Sequence, residues 1–191
     1  MNTRIALLNA AEHAVRKRGY NGFSYADLAR DVGLRKASIH HHFPTKADLA
    51  LNLIERYAAG FGDALASIKD MSATGAEKLR AYHALYRAAL ADGTQLCLCV
   101  AFSAGRDSLP PPVLAVLNQF HADSIIWLTE IFDTATADGS VAAVSDTGAE
   151  ARAALALMEG AHLLARGAAD ITQFDLATAA FLTRLSPATK H

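Results

Sequence analysis

Residues 35 to 42 read Arg-Lys-Ala-Ser-Ile-His-His-His: two permanent cations, a hydroxyl, three imidazoles, one small residue and a single apolar side chain. Such groups neutralise phosphates and hydrogen-bond to base edges, so the chemistry they suit is nucleic-acid recognition. A metal site is the other use of clustered histidines, but neighbouring helical positions point about 100° apart, and His40, His41 and His42 do not converge on one ion. Cys97 and Cys99 are the other reactive side chains, because a thiolate is a strong nucleophile when it is ionised and reachable. On a helix running from about Gln95 they would lie about 200° apart, neither sharing a cavity nor bonding each other. Cys97 is then the candidate for alkylation or oxidation, with Arg80, Arg87 or Arg106 as cations able to lower its pKa, and Cys99 fills space. His83, His121 and His162 stand alone on helical segments, as hydrogen-bonded, partly buried histidines do. The sequence has no Gly-rich phosphate loop, nucleophile elbow or paired metal-spaced histidines, so no catalytic residue, cofactor or metal is expected.

The elements that must position residues 35 to 42 are legible around them. Ser24 caps a helix whose third residue is Asp27, and Leu28, Ala29 and Val32 give that helix one apolar face. Gly33 ends it in a left-handed turn, Leu34 returns to the core, and a second helix starts near Arg35, buried by Ile39 and Phe43 and stopped by Pro44. A first helix, Thr3 to Arg18, precedes the pair, with Ile5, Leu8, Ala11 and Val15 as its buried stripe. Tyr20 and Phe23 underlie the unit.

With GYNGFSYADLARDVGLRKASIHHHFPTKADL in view, the chain resembles the TetR family of one-component transcriptional regulators over roughly residues 3 to 60. The resemblance implies that the second helix of the pair lies in the major groove of an operator. Lys36, Ala37, Ser38, His40 and His41 would face the groove, while Ser24, Tyr25, His42 and Lys46 would meet phosphates. Two positions depart from the family's pattern. Arg35 stands where Ser or Thr is usual, exchanging a helix cap for a phosphate-binding cation, and His40 stands where Tyr is usual. The segment CLCVAFSAGRDSLPPPV, residues 97 to 113, is similar to that of a subgroup controlling flavin-dependent reductases and the detoxification of reactive electrophiles.

Charge divides the chain. Residues 1 to 46 hold eight Lys/Arg against three Asp/Glu, and residues 47 to 191 hold ten against sixteen, so DNA should meet only the N-terminal part. No apolar run reaches the ~18 residues of a membrane span. Neither a signal-peptide pattern nor a disulfide framework is present, so a cytoplasmic protein is expected.

The remaining sequence predicts an all-α chain of about nine helices. A three-helix DNA-binding domain (1–46) is followed by an effector-binding and dimerisation domain (47–191), joined by one long helix from Lys46 to Lys69 that contains Gly60 and Gly62. Further helices are expected over 76–91, 95–104, from Pro111, 149–166 and 173–185. Tyr57, Phe61, Tyr82, Tyr86, Cys97, Phe102, Phe120, Trp127 and Met158 are candidate linings of an effector pocket. The last two helices are apolar on more than one face, and in the family they form a four-helix dimer interface. Leu155, Met158, Leu163, Phe174, Phe181 and Leu185 are its candidates here. The expected protein is a homodimeric repressor that binds a palindromic double-stranded operator and is released by a small-molecule effector. A helical ligand-binding protein or small-molecule enzyme without specific DNA recognition is the alternative.

Overall fold

The computed structural model describes residues 3–142 and 144–185. Among these residues the chain forms nine α-helices and no strand: α1 Thr3–Arg18, α2 Tyr25–Val32, α3 Lys36–His42, α4 Lys46–Lys69, α5 Gly75–Ala89, α6 Leu98–Ala104, α7 Pro111–Ala137, α8 Thr147–Ala168 and α9 Thr172–Arg184. The all-helical class is as expected, and α1 and α4 have the predicted bounds. α4 runs unbroken through Gly60 and Gly62. No described helix is long and apolar enough to cross a membrane.

The helices gather into two compact units, Met1–Gly60 with Gln95–Phe120, and Phe61–Thr94 with His121–His191. This differs from a single cut at residue 46, because the chain returns to its own N-terminus. Leu96 donates its N–H to the Arg16 carbonyl, the Arg16 guanidinium donates to the Leu96 carbonyl at 2.9 Å, and the Asn21 amide donates to the Ser108 hydroxyl.

In the first unit α1 buries Leu7, Leu8, Ala11, Ala14 and Val15, while Ile5, expected inside, is 50% exposed. Arg4, also exposed, places its guanidinium 5.3 Å from the centre of the Phe43 ring. Arg56 on α4 bonds Asn9 and Glu12 of α1, tying the start of α4 to the first helix.

The second unit is organised around Tyr82, Tyr86, Trp127, Met158, Phe174 and Phe181, all buried. Thr74 and Glu77 form a reciprocal capping box at the start of α5. Gly75 lies so close to α7 that a β-carbon there would sit 2.4 Å from backbone atoms of Ala135, so only glycine permits this crossing. The buried His83, His162 and Thr178 side chains have partners. Thr178 donates to the Phe174 carbonyl and accepts from His83 Nε2 at 2.8 Å, and His162 Nε2 donates to the Tyr86 carbonyl at 2.9 Å.

Candidate nucleic-acid interface

Ser24 accepts from the Asp27 N–H while Asp27 accepts from the Ser24 N–H at 2.9 Å, which closes the expected capping box of α2. Hydrogen bonds from Ser24, and then from Arg30, hold the Asp27 carboxyl below its ordinary pKa. Gly33 ends α2 at φ 71°, and the Leu34 N–H bonds back to the Ala29 carbonyl at 2.9 Å. The chain thereby turns into α3 without a longer loop. Arg35 is the residue before α3 and makes no side-chain cap, as its departure from the family pattern implies.

α3 buries Ile39, followed by Phe43, and exposes Arg35, Lys36, Ala37, His40 and His41, with Ser38 and His42 half-buried. At about 100° per residue, Ala37 and His41 lie opposite Ile39, Lys36 and His40 flank them on one side, and Ser38 and His42 on the other. Of the expected groove-facing residues, Lys36, Ala37, His40 and His41 are exposed and Ser38 is half-buried. His40 is partly tethered: its Nδ1 donates to the Pro44 carbonyl at 3.1 Å and its ring meets that of Tyr25 edge-on at 4.9 Å.

Two residues expected at phosphates have their side chains turned inward. The Tyr25 ring is buried, its hydroxyl donates to the carbonyls of Phe43 and Thr45, and burial, reinforced by Asp48, pushes its pKa up to about 12. Lys46 donates to the Phe23 carbonyl at 2.7 Å and lies over the rings of Tyr20 and Phe23, where burial lowers its pKa. Both side chains brace the corner from which α2, α3 and α4 depart. The cap of α4, Thr45 with Asp48, was missed by sequence reasoning although its T-x-x-D spacing repeats that of Ser24 and Asp27.

The nine expected pocket residues fall into two groups. Phe61, Tyr82, Tyr86, Trp127 and Met158 belong to the core of the second unit, with Tyr82 stacked on Trp127 at 5.5 Å and Tyr86 5.0 Å from Tyr82. Tyr57, Cys97, Phe102 and Phe120 belong to the first. There the Tyr57 hydroxyl donates to the Cys97 sulfur at 3.2 Å, and Phe102 meets Tyr20 edge-on. A cleft of about 610 Å3 within the second unit has other walls, among them Phe132, Val141, Phe181 and the paired Arg184 and Glu150.

The expected geometry of the two cysteines is overturned. α6 starts at Leu98, and Cys97 is the residue before it (φ −52°, ψ 142°), with no side-chain cap hydrogen bond. The 200° separation applied only to two helical positions. The Cys97 pKa is lowered to about 7. Hydrogen bonding with Cys99 is the main cause, followed by the Tyr57 hydroxyl and the N–H groups of Val100 and Cys99, all acting against burial. Two of the three arginines expected to act here are engaged elsewhere: Arg80 donates to the Leu182 carbonyl and Arg87 to both oxygens of Asp175.

Of the six residues expected at a dimer face, Leu155, Met158, Phe174, Phe181 and Leu185 are buried in their own unit, because α8 and α9 use them to cover α5 and α7. Leu163 alone of the six is exposed. The apolar side chains that α8 and α9 leave outside are Leu163, Leu164 and Leu176, at 49%, 60% and 69% exposure.

Comparison with known proteins gives four likenesses of different reach. Residues 7–53 match the family described as bacterial regulatory proteins, tetR family. The HTH-type transcriptional regulator CymR of Pseudomonas putida is 40% identical over 55 residues, which is 29% of this chain and 27% of that protein. The crystal structure of a TetR family transcriptional regulator from Agrobacterium tumefaciens is 32% identical, with 96% of this chain and 97% of that chain covered at a TM-score of 0.89. The reduced form of NemR from E. coli shares the fold, at 20% identity over all of both chains and a TM-score of 0.83.

Proposed function

The chain belongs to the TetR family of transcriptional regulators, and on that premise we propose that it is a cytoplasmic, homodimeric repressor that binds a palindromic operator and is released by a small, thiol-reactive effector. The observation that carries the DNA reading is α3 itself: a short helix set by the Gly33 turn after the capped α2, with Arg35, Lys36, His40 and His41 outside and Ile39 inside. Lys36, Ala37, Ser38 and His41 read the major groove, Arg35 and His42 meet phosphates, and the first turn of α2, beginning at Ser24 and Tyr25, offers backbone N–H groups to another. Tyr25 and Lys46 serve as braces. Dimerisation through Leu163, Leu164 and Leu176 supplies a second α3 for the other half-site, about one DNA turn away. Phe61, Tyr82, Tyr86, Trp127 and Met158 in the second unit and, as a separate group, Tyr57, Cys97, Phe102 and Phe120 in the first are the candidate effector-responsive residues. An effector acts by favouring a state with lower operator affinity, and α4, with its glycines at 60 and 62, is the element common to sensing and output.

A mobility-shift titration with the DNA flanking this protein's own gene tests the reading. Specific retardation is expected, and it should disappear in Lys36→Ala/Ser38→Ala while the dimer persists. Weak, strongly salt-dependent binding that ignores sequence would overturn it.

A further inference from the structure

The cleft of about 610 Å3 in the second unit is a separate place from the effector-responsive candidates, none of which lines it. Phe132 of α7, Val141 beyond that helix, and Phe181 and Leu185 at the end of α9 give it apolar walls. Phe132, Phe181 and Leu185 are core side chains, so this apolar surface belongs to the packed interior rather than to a loop. Its charged walls are Asp146 and Glu150 at the start of α8 and Arg184 of α9. Glu150 and Arg184 pair at 3.0 Å, with their side chains 28% and 58% exposed. Among the described residues that ion pair is the single polar contact of either side chain, so the second Glu150 oxygen and the other guanidinium N–H groups have capacity to spare. We propose that this cleft binds an apolar α-amino acid, its ammonium at Glu150, its carboxylate at Arg184 and its side chain against Phe132, Phe181 and Leu185.

Charge selects the class. A ligand with a carboxylate alone would suit Arg184 but would also face Glu150 and Asp146, and one with an ammonium alone would suit the two acids but face Arg184. A zwitterion meets both signs with their opposites and leaves neither side chain beside a like charge. Its dimensions agree, because the nitrogen and the nearer carboxylate oxygen of an α-amino acid are about 3 Å apart, the spacing of the Arg184 and Glu150 atoms over which they would lie. Asp146 uses one oxygen to accept from the Ala149 N–H, and the other can take a further ammonium hydrogen. The apolar walls then discriminate among amino acids, because a polar side chain would lose its water against Phe132, Phe181 and Leu185 without gaining a partner there.

Calorimetric titration of the full-length protein near pH 7 with L-leucine, L-methionine, L-phenylalanine and L-tryptophan makes the test, with L-serine as the polar control. At least one of the four should bind saturably, one per chain, and L-serine should not. For the tightest of them, the decarboxylated amine and the des-amino acid should each bind about tenfold more weakly or worse, because each lacks one charge-assisted contact. Glu150→Gln and Arg184→Gln should lower affinity by a similar factor while the ligand-free melting temperature stays close to that of wild type, as expected for a partly exposed ion pair. Arg184→Lys should recover part of the loss. Failure of all four amino acids to bind overturns the proposal. So does an amine or des-amino acid that binds as tightly as its parent, or an affinity indifferent to both glutamine variants. The measurement uses neither operator DNA nor a reactive thiol, so its failure is distinct from failure of the regulatory reading.

Discussion

Along α3 the apolar side chain Ile39 points in and Lys36, His40 and His41 point out, whereas along α8 and α9 His162 and Thr178 point in and Leu163, Leu164 and Leu176 point out. The first arrangement is that of an ordinary surface helix, and its outward groups are satisfied by water or by phosphate. The second keeps an apolar inner face, with Leu155, Met158, Phe174 and Phe181, but adds buried polar groups to it and leaves leucines outside. The inward polar groups cost nothing further because each has a hydrogen-bond partner, but exposed leucines have no comparable remedy except another apolar surface. The contrast teaches that the partner of a face is sought in what the face leaves unsatisfied, which on the proposed reading is a second chain for α8 and α9 and a polyanion for α3.

The largest effect that could break this contrast comes from charging the leucines. Leu163→Glu/Leu176→Glu should turn a dimer into a monomer in sedimentation velocity and weaken operator binding on the order of 100-fold, the gain that two linked half-sites provide. A wild type that sediments as a monomer, or a charged variant that stays dimeric, would remove α8 and α9 as the interface. A smaller effect is expected on the inward side. Thr178→Val keeps the shape but leaves the His83 Nε2–H without its acceptor, and should cost about 1–3 kcal/mol in denaturant unfolding. An unchanged midpoint would mean that the polar interior of these helices is not held as described. The smallest effect concerns pH. Burial, with help from Arg87 and Arg80, lowers the His83 pKa below 6.5, against the pull of Asp175. As pH falls below 6.5 the unfolded chain takes up a proton that the folded chain resists, so stability should decline with acidification. His83→Gln should decline less steeply, and parallel curves would refute the assignment.

Sequence made the local devices legible and left the long-range ones obscure. Ser24, Asp27, Gly33 and Ile39 act within a few residues of themselves, so the turn between α2 and α3 could be derived from spacing alone. Tyr25 and Lys46 could not be placed this way, because the carbonyls that hold them, Phe43, Thr45 and Phe23, lie about twenty residues off. The cysteines failed for a subtler reason. Moving the start of a helix from Gln95 to Leu98 converts Cys97 from a helical position into a cap, and its side chain from one direction to another. On α8 and α9 periodicity showed two apolar faces without showing which one α5 and α7 would cover, so five core residues were assigned to the interface.

The tether on His40 sets how that residue can take part in binding. A carbonyl oxygen only accepts, so Nδ1 bonded to Pro44 must carry the hydrogen, and in the neutral ring Nε2 is left as a lone pair. A lone pair repels a phosphate oxygen. A contact from His40 Nε2 to a DNA-backbone oxygen therefore needs a second ring hydrogen, on Nε2 as well as Nδ1. The tyrosine usual at this position carries its own hydroxyl hydrogen, and would bind the same phosphate with no such debt to the solvent.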